Sequence, residues 1–147
     1  GIGFLFVPSL FKDNKTIYKL ALIGSFFFFI GSFCLAGVGL TPHDIYLDLH
    51  GHFAKNAFRL FVPGSIFYVI VLFKSTVDNK YSLVTLGYLI FTFAYVMYQF
   101  LIEDALKSPD SLMESVTIQK IIAIVSTISI FSLSFAFSSK LSEKSKS

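Results

Sequence analysis

The chain has 147 residues, 54% of them hydrophobic and only 14% charged, with 19 Phe and no Trp. A water-soluble domain needs about a quarter of its residues charged to cover its surface, so this composition excludes an ordinary soluble domain and points to hydrocarbon as the main solvent. The net charge of +3 does not indicate nucleic-acid binding, because the lysines sit at the ends of apolar runs and form no patch with interleaved aromatics.

Residues 1–11, GIGFLFVPSLF, are apolar but too few to cross a bilayer, which takes about 20 residues. A cleaved signal peptide would leave no such stub. The stretch reads as the end of a helix that begins before the sequence does, with a short re-entrant or interfacial segment as the alternative. Between Lys19 and Asp44 no Lys, Arg, Asp or Glu occurs, which places a first span at 18–40. Its small residues are Gly24, Ser25, Gly31, Ser32 and Ala36; Gly24 and Gly31, and Ser25 and Ser32, are pairs seven apart, a spacing that permits close helix approach. The single cysteine, Cys34, reads as a small packing residue in mid-span.

The next connection is GVGLTPHDIYLDLHGHFAKNAFRLFVPG. Thr41 before Pro42 and Asp44 is a helix-start signal: a capping hydroxyl, a proline suited to the first position, and an acid at the positive end of the dipole. A helix from Pro42 would put Asp44, Asp48, His52, Lys55 and Arg59 on one face, at spacings of four, four, three and four. His43, Tyr46 and His50 would lie on roughly the opposite face, and Gly51 is a possible break. Acids precede cations, the favourable order for pairs four apart.

Three readings of this stripe compete. Asp44 and Asp48 can neutralise Lys55 and Arg59 at the membrane boundary. Asp44, Asp48, His52 and, with a break at Gly51, His50 can ligate a divalent metal such as zinc. Lys55 and Arg59 can hold an anion or a lipid headgroup.

The second span is expected over 53–73, carrying Lys55 and Arg59 in its first two turns, where their stems can snorkel outward. Arg59 is the only arginine, and an ionisable group within a span is costly enough to need a reason. Pro63-Gly64 predicts a kink. The third span, 81–102, carries Tyr81, Thr85, Tyr88, Thr92, Tyr95 and Gln99 at alternating spacings of four and three, an arc of roughly 80° on a helix. Leu83, Leu86, Ile90, Phe93 and Met97 fill the other side as a lipid face. The polar arc reads either as hydrogen bonding to neighbouring helices or as the lining of a ligand pocket formed by Tyr88, Thr92, Tyr95 and Gln99.

Ser108-Pro109-Asp110 is another helix start, so the fourth helix begins outside the membrane, before a span at 117–138. That span carries Ser126, Ser129, Ser132, Thr127, Ser134 and Ser138, potential partners for the third-span stripe. The last residues, 139–147, form a cationic, solvated tail. Lys12, Lys15, Lys19, Lys74, Lys80, Lys140, Lys144 and Lys146 fall on one side of such a bundle. The positive-inside rule therefore assigns that side, with the 74–80 turn and the C-terminus, to the cytoplasm. The His/Asp connection and the acidic 103–116 stretch would then face outward.

The pattern Gly37-Val-Gly-Leu-Thr-Pro42, then Asp44 and His50 or His52 ahead of Ala54, resembles the six-helix prokaryotic membrane family catalogued as domain of unknown function nine-nine-eight. On that resemblance Pro42, Asp44 and one of the two histidines are corresponding positions, and six helices are implied where four spans and a stub are legible here. The family has no settled activity, so the resemblance bears on architecture.

No nucleophile elbow, phosphate loop or cofactor fingerprint occurs in the sequence. The sequence thus describes an all-α, polytopic transmembrane helix bundle of four complete spans plus a partial N-terminal helix. It needs no cofactor and is expected to serve as a structural or accessory subunit. Its expected partners are the lipid bilayer and other membrane subunits or further copies of itself. A metal-dependent or lipid-binding protein of the outer leaflet and a small carrier are the alternatives.

Overall fold

The computed structural model of the chain describes residues 1–42, 44–101 and 109–146. Two short 3-10 turns, Ile2–Leu5 and Val7–Phe11, lead into four long helices: α1 Lys15–Leu40, α2 Leu47–Lys74, α3 Asn79–Leu101 and α4 Pro109–Lys146. Each of the four is long and apolar enough to cross a membrane. The fold is an all-α, polytopic transmembrane helix bundle. At 1.5 Å per residue, the 38 residues of α4 reach about 57 Å, well beyond a hydrocarbon core of about 30 Å.

Local chemistry sets the helix ends. The Asn14 side chain accepts hydrogen bonds from the Thr16 and Ile17 N–H groups at 3.0 and 3.2 Å, satisfying two of the donors that the start of α1 leaves open. At the far end the Thr41 hydroxyl donates to the Gly37 carbonyl at 2.8 Å. Thr41 therefore finishes α1 instead of starting α2, contrary to the reading of Thr41-Pro42 as a helix start. The chain then turns, with the Tyr46 N–H donating to the Pro42 carbonyl at 2.8 Å, and α2 begins only at Leu47. Once α1 runs to Leu40 its last carbonyls need donors, and Thr41 is the nearest hydroxyl. α2 also runs unbroken through Gly51 and Pro63.

Among the described elements α1 and α2 share the most extensive contact, and glycine makes it possible. A Cβ at Gly31 would stand 2.5 Å from the Phe61 ring, and one at Gly37 would stand 2.7 Å from the Phe53 ring. A Cβ at Gly64, on α2, would meet the Phe28 ring at 3.0 Å. Rings of one helix thus lie over the bare backbone of the other, the small-residue packing that joins helices where no hydrophobic effect drives them together.

The N-terminal segment packs into this pair. Phe4 stacks on Phe28 with centroids 4.6 Å apart and meets the Tyr68 ring edge-on at 5.7 Å. Val7, Pro8 and Phe11 are buried. Phe137 of α4 adds a further ring 5.9 Å from Tyr68. The backbone of α3 lies against α2, and that of α4 against α3 and the second 3-10 turn. The half of the core nearest the 74–80 turn is therefore filled with aromatic rings and closed by Leu72, Val77, Leu133 and Ala136.

Among the described residues one ion pair is found, Lys80 Nζ to Asp78 Oδ2 at 3.0 Å. Asp78 Oδ1 also accepts the Lys80 N–H at 3.0 Å. That backbone bond first, and the ammonium second, hold the Asp78 carboxyl below the usual carboxylate range. Both groups are exposed, so the pair is screened by solvent. A lowered carboxylate pKa contributes stability above the ordinary value of about 3.9 and loses it as the pH falls through the lowered value.

Two outcomes are expected from these contacts. Gly31→Leu should cost about 1–3 kcal/mol by overpacking. Gly39→Ala, where nothing lies within 4 Å of a new Cβ, should be neutral or stabilising by the helix preference of alanine over glycine; thermal unfolding in detergent measures both. Asp78→Ala should lower the midpoint slightly at pH 7 and make no difference once the pH is below the carboxylate range, read from the same assay across pH.

Candidate functional site

Of the stripe Asp44, Asp48, His52, Lys55 and Arg59, the last four lie on α2, while Asp44 lies in the turn before it. Asp48 stands in the first turn of α2, where its charge suits the helix dipole. Asp44, Asp48, His52 and Lys55 are exposed. His50 is half-buried, and its Nδ1 lies 2.7 Å from the Thr41 carbonyl oxygen, which ties the start of α2 to the end of α1. The His52 ring meets Phe53 edge-on. Among the described residues no three of His, Cys, Asp and Glu come together in a group fit to hold a metal ion. Asp44, Asp48, His50 and His52 are thus not gathered into the four-ligand set that their spacing suggested. The physical reason is the late start of α2, which takes Asp44 off the helix, and the engagement of His50 with α1. His43 lies outside the described residues.

Arg59 meets α3 by its planar face. Its guanidinium carbon lies 4.5 Å from the centroid of the Phe100 ring, a cation–π contact that gains strength where water is scarce. Its Nε is buried without a hydrogen-bond partner among the described residues. No Asp or Glu of the described residues pairs with it, so the neutralisation of Arg59 by Asp44 and Asp48 is not seen. Gln99 Oε1 and the Tyr98 hydroxyl, from the same end of α3, are likewise buried and unpartnered. Glu103, Asp104 and Lys107 of the acidic stretch lie outside the described residues.

The polar arc of α3 points into the bundle. Ser82, Thr85, Tyr88, Thr92 and Tyr95 are buried, whereas Leu83, Ile90, Phe93 and Met97 are exposed. Thr85 donates back to the Tyr81 carbonyl at 2.8 Å. The Tyr88 hydroxyl faces Ser126 of α4 and Thr92 of its own helix, and Tyr95 faces Gln99. Thr92 Oγ1 nevertheless makes no bond of good geometry, nor does Ser129 Oγ of α4. The Tyr95 ring lies edge-on to Phe58 of α2 at 4.9 Å. Tyr88, Thr92, Tyr95 and Gln99 are brought together, but as part of packed helix interfaces.

Two features are not legible in the spacing of residues along the chain. One is the buried hydrogen bond between Ser25 of α1 and Tyr68 of α2, 2.6 Å long with both residues almost wholly enclosed. Tyr68 is the only tyrosine in its span, and that is the one signal available for it. The other is a cleft of about 290 Å³ among α1, α2 and α4, at the end of the bundle away from the aromatic plug. Leu35 and Val38, Ala54, Ala57 and Phe58, and Val116, Gln119, Lys120 and Ala123 line it. No periodicity within one helix marks it, because its walls come from three.

With this geometry in hand, comparison with protein-family models, with curated proteins and with solved structures gives no match. The four membrane-length helices define the class, a multi-pass membrane helix bundle. Any narrower functional reading therefore rests on where its side chains lie.

The Ser25–Tyr68 bond should be worth about 0.6–2 kcal/mol, the range for hydroxyl bonds between membrane helices. A double-mutant cycle with Ser25→Ala and Tyr68→Phe is expected to show coupling in that range, and additive effects would mean that the bond contributes nothing.

Proposed function

We propose that the chain is a structural or accessory subunit of a larger membrane assembly and performs no catalysis itself. The observation that carries this reading is the one-sided burial of α4. Ile122, Ser129, Leu133 and Ala136 are buried against the rest of the bundle. Elsewhere on the same helix Thr127, Ser134 and Ser138 are exposed, at spacings of seven and four, beside Ile130 and Phe131. Hydroxyl residues on an outward helix face serve helix–helix contacts better than they serve lipid, and a neighbouring membrane helix would cover them.

The polar residues elsewhere support the same reading. His50 joins α2 to α1, Ser25 joins α1 to Tyr68, and Tyr88 faces Ser126. Each contact holds helices together. In the membrane we place the lysine-rich ends at 12–19, 74–80 and 140–146 on the cytoplasmic side, where positive residues are retained. The turn with Asp44 and Asp48 then faces outward.

Cross-linking from Ser134→Cys in a Cys34→Ser background, carried out in native membranes, is expected to give a higher-mass adduct with another subunit or a second copy. An uncross-linked chain in membranes that also runs alone in mild detergent would overturn the proposal.

A further inference from the structure

The cleft among α1, α2 and α4 has an unusual wall. Leu35, Val38, Ala54, Phe58 and Ala123 make it apolar, and Lys120 is the one charged residue among those that line it. Lys120 lies in the first turn of the 117–138 span, near the membrane boundary, and it is exposed. A lysine there can extend its stem along apolar surface and hold its ammonium at headgroup level. One turn to either side on its own helix stand Val116 and Ile124, which carry no charge. From α1 the cleft presents Leu35 and Val38, and from α2 Ala54, Ala57 and Phe58, none of which titrates. Among the described residues Lys120 forms no ion pair or hydrogen bond.

We infer that this cleft is a binding site for an anionic phospholipid of the surrounding leaflet, with one acyl chain in the apolar trough and the phosphate on Lys120. Three observations converge. The walls belong to helices that cross the membrane, so the occupant nearest to hand is lipid. The volume of about 290 Å³ sits at the low end for ligand pockets, about 300–1,000 Å³, and suits a single hydrocarbon chain better than another helix. The one cation on the wall supplies charge complementarity to a headgroup, and its flexible stem can carry the ammonium outward toward the phosphate. The Gln119 amide, on the same wall, can donate a hydrogen bond to the same oxygens. This inference is independent of the subunit role proposed above and uses neither Lys55 nor Arg59.

The protein purified in mild detergent can be titrated with phosphatidylglycerol and with phosphatidylcholine of identical chains, and bound lipid counted by native mass spectrometry. The unaltered chain is expected to prefer the anionic lipid about fivefold, the worth of about 1 kcal/mol for one lysine near a charged headgroup. Lys120→Gln should abolish that preference, Lys120→Arg should keep it, and Lys74→Gln, at the opposite end of the bundle, should leave it unchanged. Ala123→Phe, which fills the trough from an exposed position, should weaken binding of both lipids. Equal binding of the two lipids by the unaltered chain would overturn the inference. So would a preference that survives Lys120→Gln, or dimers in place of bound lipid.

Discussion

Everything else in this bundle is arranged around the close approach of α1 and α2. In hydrocarbon two helices gain nothing from hiding apolar surface, so contact has to come from fit and from buried hydrogen bonds. Here Phe53, Phe61 and Phe28 lie over Gly37, Gly31 and Gly64, and Ser25 and Tyr68 close a hydrogen bond in the interior. Without the glycines the rings would force the helices apart. That separation would also take Tyr68 out of reach of Phe4 and Phe137, which pack on it from the N-terminal segment and from α4.

The two ends of the core differ because of that arrangement. Toward the 74–80 turn, Phe4, Val7 and Phe11 fill the space between helices, and Lys140 donates to Thr76 Oγ1 across the end. Toward the other end no such plug exists among the described residues. Small side chains at Ala54, Ala57 and Ala123 leave the cleft that Lys120 faces. One bundle thus has a dry aromatic half and a half with room for a guest. On α3 the Ser82, Thr92 and Tyr98 hydroxyls are enclosed without a partner among the described residues, which is costly in a low-dielectric interior. Such groups mark where helix packing is constrained by something other than apolar fit.

Much of the architecture is legible in the amino-acid order. The uncharged runs are long, and a bilayer sets a minimum length that few other structures need, so four membrane-length helices can be read directly. The inward arc of Thr85, Tyr88, Thr92 and Tyr95 comes from periodicity, because one helix face carries it whole. Gly24 and Gly31 of α1 are visible as small residues seven apart, whereas Gly37, under Phe53, falls outside that spacing. The start of α2 is not legible, since Thr41-Pro42 satisfies the rule for a helix start equally well whether or not α1 has already claimed the threonine hydroxyl.

The sequence by itself determined the solvent, the number of membrane-length helices, and which face of α3 is polar, because these depend on composition and on periodicity within a single element. Only the tertiary structure decided that Thr41 closes α1, that Asp44, Asp48, His50 and His52 form no metal-holding group among the described residues, and that Arg59 lies against Phe100. It also decided that Lys120 borders a cleft. Each of these turns on distances between residues on different helices, and no spacing along the chain encodes the angle at which two helices meet.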